Sequence, residues 1–160
     1  MIPYDLDRRA KLVPVATLGA TAVAGALLAI PAPAAAEVPY QDFKDNSCAH
    51  ALCEINFAPP PAGKRLAITS ESCSYTTNGS SKIVNAEIDL VDSNNQLNGL
   101  REFLVPTLLA AGTTLGNVYA ANHTTLIYVP PNFHLQGRVS VTVSNGETIA
   151  CKITGTVETP

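Results

Sequence analysis

Residues 138–157 read RVSVTVSNGETIACKITGTV. Val139, Val141 and Val143 alternate with Arg138, Ser140 and Thr142, and further on Ile149, Cys151, Ile153 and Val157 share one face, with Gly155 between the last two. Strict alternation sends one set of side chains to a core and the other to water, the mark of a half-buried strand. Asn145-Gly146 between the two runs readily supplies the positive backbone angles of a tight turn, so the stretch predicts two strands joined by a hairpin. Cys151 is then directed into the core.

The same grammar extends upstream. Cys53–Ala58 alternates and stops at Pro59-Pro60-Pro61-Ala62-Gly63. Lys64–Tyr75 is a second extended run, with Leu66 and Ile68 on one face, and Thr77-Asn78-Gly79-Ser80 after it predicts another hairpin. In Ile83–Val91, Val84, Ala86, Ile88 and Leu90 oppose Asn85, Glu87 and Asp89, which predicts a strand with a solvated outer face. Ser93–Gly99 reads as a polar loop ending in a further Asn-Gly. Leu100–Ala110 mixes helical and strand spacing, but Pro106 costs about 3 kcal/mol inside a helix, so it is read as an extended edge strand. Leu115–Ala121 and Thr124–Val129 give two more strands before the Pro130-Pro131-Asn132 turn. About eight short strands predict an all-β antiparallel sandwich. Pairing of early with late segments favours a jelly roll. The absence of Trp removes the Cys–Trp–Cys hallmark of immunoglobulin domains.

The chain has 160 residues, and its beginning reads as an export signal. Three basic residues against two acids occupy residues 1–11; residues 12–30 are uncharged; Ala34-Ala35-Ala36 then offers a small-residue cleavage site. Pro14, Gly19 and Gly25 dilute the apolar run and argue against a retained membrane anchor. The predicted organisation is a signal peptide over 1–36, a polar N-terminal arm over 37–52 without periodicity, and a β-sandwich domain over 53–160. All four cysteines (Cys48, Cys53, Cys73, Cys151) follow the cleavage point, as suits disulfides formed outside the cytosol. Three pairings are open; Cys48–Cys53 and Cys73–Cys151 is favoured, because the first closes a single turn and the second ties an early strand to the last. His50 between the first two raises zinc, but no Cys-x2-Cys or matching second pair is present.

Signal removal leaves 7 basic and 11 acidic residues, a net charge of −4 with no basic cluster, which does not suit nucleic acid. Charged residues make up only 14% of the chain, against roughly 25% in an average protein.

Three segments together resemble a known group: Pro61-Ala62-Gly63-Lys64-Arg65-Leu66-Ala67-Ile68-Thr69 leading to Cys73, then Tyr128-Val129-Pro130-Pro131, then Cys151-Lys152-Ile153-Thr154-Gly155. They are similar to small exported proteins of unassigned function from rhizobia and related alphaproteobacteria. The resemblance implies a periplasmic or extracellular location and a β-sandwich ending in a Cys-x-Ile-x-Gly strand. It implies no catalytic residues.

Reactive constellations are sparse. No Gly-x-Ser-x-Gly elbow, phosphate-binding loop or dinucleotide fingerprint occurs, so no nucleotide cofactor is expected. Among the three histidines (His50, His123, His134), His123 is the best candidate for handling a proton. Glu87 and Asp89 would stand about 7 Å apart on one strand, a glycosidase-like separation, but on an exposed face they read as solvated surface. Asp92-Ser93-Asn94-Asn95 offers oxygen ligands without a full calcium-loop pattern. Tyr75, Tyr119, Tyr128 and Phe133 are the aromatics available for a sugar platform. The expected function is therefore an exported, non-enzymatic binding or envelope-associated interaction module for a protein or glycan partner, with no catalytic residue, metal, cofactor or stable membrane span after signal cleavage. Glycan binding or processing is the alternative. Tyr119, Asn122, His123, Tyr128, Asn132 and Phe133 are the candidate ligand-binding residues.

Overall fold

A computed structural model describes residues 37–114, 116–143 and 146–160; the segment read as an export signal lies outside the described residues. The strands are β1 (Val38–Cys48), β2 (Leu52–Asn56), β3 (Arg65–Thr77), β4 (Ile83–Asp92), β5 (Leu97–Phe103), β6 (Thr107–Thr113), β7 (Gly116–Val129), β8 (Phe133–Val141) and β9 (Glu147–Glu158). A five-stranded sheet has the order β1-β9-β3-β7-β6, and a four-stranded sheet the order β2-β8-β4-β5. All the strand pairs are antiparallel. Without β6, each sheet has four strands, and successive strands alternate between sheets except at the β4–β5 pair, as in a jelly roll. β6 is an addition beside β7. No described helix is long and apolar enough to cross a membrane.

The core lies between the sheets. Leu66, Ile68, Tyr75, Ile127, Ile149 and Ile153 from one meet Ile55, Ile88, Leu135 and Val139 from the other. Both cysteine pairs are joined, Cys48–Cys53 and Cys73–Cys151. Cys73 and Cys151 are register partners on β3 and β9, with Cα atoms 4.1 Å apart, and both are buried. Cys48–Cys53 ties the end of β1 to β2, and so one sheet to the other.

Tertiary pairing overrules several local expectations. Residues 38–48 are a strand rather than a free arm: β1 pairs with β9 from Val38↔Val157 to Cys48↔Glu147. Being an edge strand, it has no need of a wholly apolar face. The Asn78-Gly79 signal joins β3 to β4, strands in different sheets, so it marks a crossing rather than a hairpin; Asn145 lies outside the described residues, but β8 and β9 on either side of it also belong to different sheets. Asn98-Gly99 lies within β5, where Gly99 has φ +78°. The real hairpin here is β4–β5. Its turn is closed by Asp92, whose amide donates to the Gln96 carbonyl (3.0 Å) and whose carbonyl accepts from Asn95 N–H (3.0 Å). Leu100–Ala110 divides at Leu104-Val105-Pro106, with β5 in one sheet and β6 in the other. The two strands expected over 115–129 are one, β7, whose register against β3 shifts between the Ile68 and Ser70 pairs.

That shift explains Gly155. It stands opposite Ile68 on β9, and a Cβ there would run into the Ala67 carbonyl oxygen and the Ile68 Cα. Backbone cannot retreat as a flexible side chain can. Gly155→Ala is expected to destabilise the domain by about 2–3 kcal/mol, read as a lower denaturant midpoint with unchanged slope. A midpoint equal to wild type would show that the strands do not approach so closely.

Candidate functional site

The outer face of the four-stranded sheet is not the solvated surface its alternation predicts. Glu87 and Asp89 are buried on β4. Register places Arg138 of β8 beside Glu87 and Arg101 of β5 beside Asp89. Arg101 donates to Asp89 Oδ1 (2.8 Å) and Oδ2 (3.0 Å), and lies 3.3 Å from Glu87 Oε2. Arg138 reaches Glu54 Oε1 (2.9 Å), Glu87 Oε1 (3.3 Å) and Asp89 Oδ2 (3.3 Å). Asn85 donates to Glu87 Oε2 (2.7 Å), the oxygen that also faces Arg101. The hydrogen bond to Asp89 raises the already high pKa of Arg101. Four carboxylate oxygens held in this way form a stapled surface, not an acid–base pair awaiting a substrate. Val84 is exposed because β4 shifts register between Ile83 and Asn85, moving Val84 out of phase with Ala86.

The other expected ligand sets are likewise spent or apart. The Asp92 carboxylate accepts from the backbone N–H groups of Asn94 (2.8 Å) and Gln96 (2.9 Å), building the turn. His134 Nε2 lies 3.3 Å from Asn56 Oδ1, and burial pushes the His134 pKa down. His50 stands between two disulfide-bonded cysteines, which have no free thiol to offer a metal. Among the aromatics, Tyr75 is in the core, where burial and the Glu71 carboxylate push its hydroxyl pKa up. Tyr119 and Phe133 are half-buried against the core, and the Tyr128 ring is covered by Arg65, whose guanidinium carbon lies 4.6 Å from its centre. Tyr119 and Tyr128 stand nine positions apart on β7, roughly 30 Å along a strand. Asn132 forms the β7–β8 turn at φ 69°, and Asn122 accepts from Ser72 Oγ (2.6 Å). These side chains do not converge on one platform.

Two features remain. The first is the edge strand β6. Leu108 and Leu109 are 50% and 65% exposed. Beside it runs a groove of about 470 Å³ lined by Ile83, Ala86, Leu104, Pro106, Leu108 and Tyr119.

The second feature surrounds His123. Register sets His123 of β7 directly beside Glu71 of β3, and β5 brings Glu102 across from the other sheet. One ligand atom from each of the three lies within 4.8 Å of the others. Glu102 Oε1 accepts from Thr125 Oγ1 (2.7 Å), while His123 Nδ1 stands 3.1 Å from Glu102 Oε2 without making a hydrogen bond to it. Glu71 is only 2% exposed, and neither of its carboxylate oxygens has a hydrogen-bond partner. Burial, and then the Glu102 carboxylate, raise its pKa to about 8. The sequence pattern points to His123 but not to Glu71 or Glu102. The available signal was that Glu71 falls in phase with Cys73 and Tyr75, a carboxylate in a row of core residues.

No protein-family model matches the chain, and no curated protein matches it. Among the solved structures that do match, a chain of the Cyanophage Pam1 capsid asymmetric unit is 18% identical, with a TM-score of 0.46, over 87% of this chain and 99% of that one.

Proposed function

We propose that the chain is an exported, non-enzymatic interaction module, periplasmic or extracellular and related to the small alphaproteobacterial exported proteins it resembles, and that it assembles through β6 with a second copy of itself. The two disulfides fit an oxidising location. One contrast carries the assembly. Each sheet has two edge strands: β1 contains Asp42, Lys44 and Asp45, β2 contains Glu54, and β5 contains Arg101 and Glu102, whereas β6 (TLLAAGT) contains no charge. Charges on an edge are the usual guard against pairing with another chain, and β6 lacks that guard while exposing two leucines. Two copies related by a two-fold axis would pair β6 with β6, bring no like charges together and cover both apolar edges.

Light scattering coupled to gel filtration tests this on the exported protein. Wild type is expected to run as a dimer at micromolar concentration. Leu109→Lys should weaken the dimer by about tenfold or more, since two like charges would then face each other across the two-fold axis. Leu97→Lys, on the β5 edge, should leave it intact. A wild type that stays monomeric across the concentration range, or a dimer indifferent to Leu109→Lys, overturns the proposal.

A further inference from the structure

We propose that Glu71, Glu102 and His123 bind a divalent transition-metal ion at the open flank between the two sheets. The site is assembled by the fold. Antiparallel register on neighbouring strands places Glu71 and His123 side by side, and Glu102 faces them from the opposite sheet. β6 pairs with β7 only from Gly116 to Ala120, so β7 is an uncovered edge where it carries His123. The cluster runs from buried Glu71, through partly buried Glu102, to His123 with its side chain 45% exposed, so its outer end is open to solvent.

Burial leaves Glu71 either to hold a proton or to meet a cation. An isolated carboxylate in a protein interior is among the most costly groups to bury, and it normally meets an arginine, a lysine or a set of N–H donors. Glu71 meets none of these among the described residues: both of its oxygens are unpartnered, and the nearest acid is a second carboxylate. Once an ion displaces the Glu71 proton, two carboxylates and a neutral imidazole carry a charge of −2 that the divalent ion cancels. The donor set also selects the ion. Imidazole with carboxylates suits zinc and its first-row neighbours, whereas calcium and magnesium favour oxygen-only shells. Zinc binds such atoms at about 2.0–2.2 Å, which sets ligand atoms roughly 3.4 Å apart. The present spread of up to 4.8 Å therefore needs a closure on the order of 1 Å, within reach of side-chain rotation. The Thr125 hydroxyl already fixes one Glu102 oxygen, leaving the other for the ion, as an outer-shell partner does in known metal sites. Three protein ligands leave a fourth position for water.

Zinc titration into chelator-stripped protein, followed by calorimetry and by thermal melting, tests the site. Wild type is expected to bind one equivalent and to melt at a higher temperature with zinc. Glu71→Gln keeps the shape and removes the charge; it should lower zinc affinity by at least about 100-fold and abolish the melting shift. His123→Gln, at an exposed position, should also lose affinity without unfolding and decides the matter if Glu71→Gln fails to fold. His50→Gln and His134→Gln should bind as wild type does. Absence of stoichiometric binding, or wild-type affinity in His123→Gln or in folded Glu71→Gln, overturns the proposal.

Discussion

Replacing both members of the buried disulfide, as Cys73→Ala with Cys151→Ala, is expected to destabilise the domain by about 4–5 kcal/mol. The bond closes a loop of 78 residues, and in the chain-entropy picture the loss of that constraint gives the unfolded chain freedom worth this amount. Small domains have only about 5–15 kcal/mol of net stability, so the loss is a large fraction of the whole. For a domain of this size it corresponds to a melting temperature lower by roughly 15 °C. The second disulfide supplies an internal control. Cys48–Cys53 spans a sequence separation of only 5, and the same reasoning assigns it about 2 kcal/mol. The Cys48→Ala/Cys53→Ala variant should therefore melt between the other variant and wild type. Thermal melts of the three proteins, with native disulfides verified beforehand, check the order. Equal losses in both variants, or a Cys73→Ala/Cys151→Ala protein within a few degrees of wild type, would refute the assignment.

That contrast also shows what the chain discloses locally and what it does not. Periodicity along one strand is a local property, so the alternation of Val139, Val141, Ile149, Cys151 and Ile153 was enough to reveal a sandwich with Cys151 in its core. The partner of a strand is not local. Asn78-Gly79 turns the chain as its backbone freedom predicts, but whether a turn closes a hairpin or crosses to the other sheet depends on strands far away in sequence. Residues 38–48 look like a loop because an edge strand needs no apolar stripe; β9 makes them a strand. Glu87 and Asp89 look solvated because Arg138, about fifty positions later, cannot be foreseen above them; with Arg101 it turns an acidic face into a closed network. The flank site follows the same pattern. His123 stood out as a lone histidine before a strand, while its neighbour Glu71 was hidden by the register shift between Ile68 and Ser70, which puts Glu71 rather than Ser70 in line with the core. Tyr119, Asn122, Tyr128, Asn132 and Phe133 were chosen by residue type; β7 spreads the first three along its length, while Asn132 and Phe133 lie beyond its end, in the turn and at the start of β8.

The buried Glu71 carboxylate makes a second large effect measurable, with metal removed by chelator. In the folded chain its pKa is raised to about 8, against an ordinary 4.5, because burial and the facing Glu102 carboxylate both disfavour the charged form. Among the described residues, the titratable groups facing it are Glu102, His123 and the Tyr75 hydroxyl, and none of these is a fixed cation. Below pH 4.5 folded and unfolded chains both hold the proton, and Glu71 carries no penalty. As pH rises from there towards 8, the unfolded chain releases the proton while the folded chain retains it. The folded state thus binds more protons, and stability must fall with pH across this window before levelling off above it. Each unit of pKa difference is worth about 1.4 kcal/mol, so the accumulated loss is several kcal/mol. Glu71→Gln cannot release a proton, and its stability should lack this decline. Denaturant midpoints measured between pH 4 and 9 for the two proteins isolate the effect, since the three histidines are common to both. Parallel curves would mean that Glu71 is solvated or paired in solution and would remove the electrostatic argument for an ion beside it. A wild-type decline that disappears on adding zinc, and is absent from the Gln variant throughout, would tie the cost of the buried charge to the ion that relieves it.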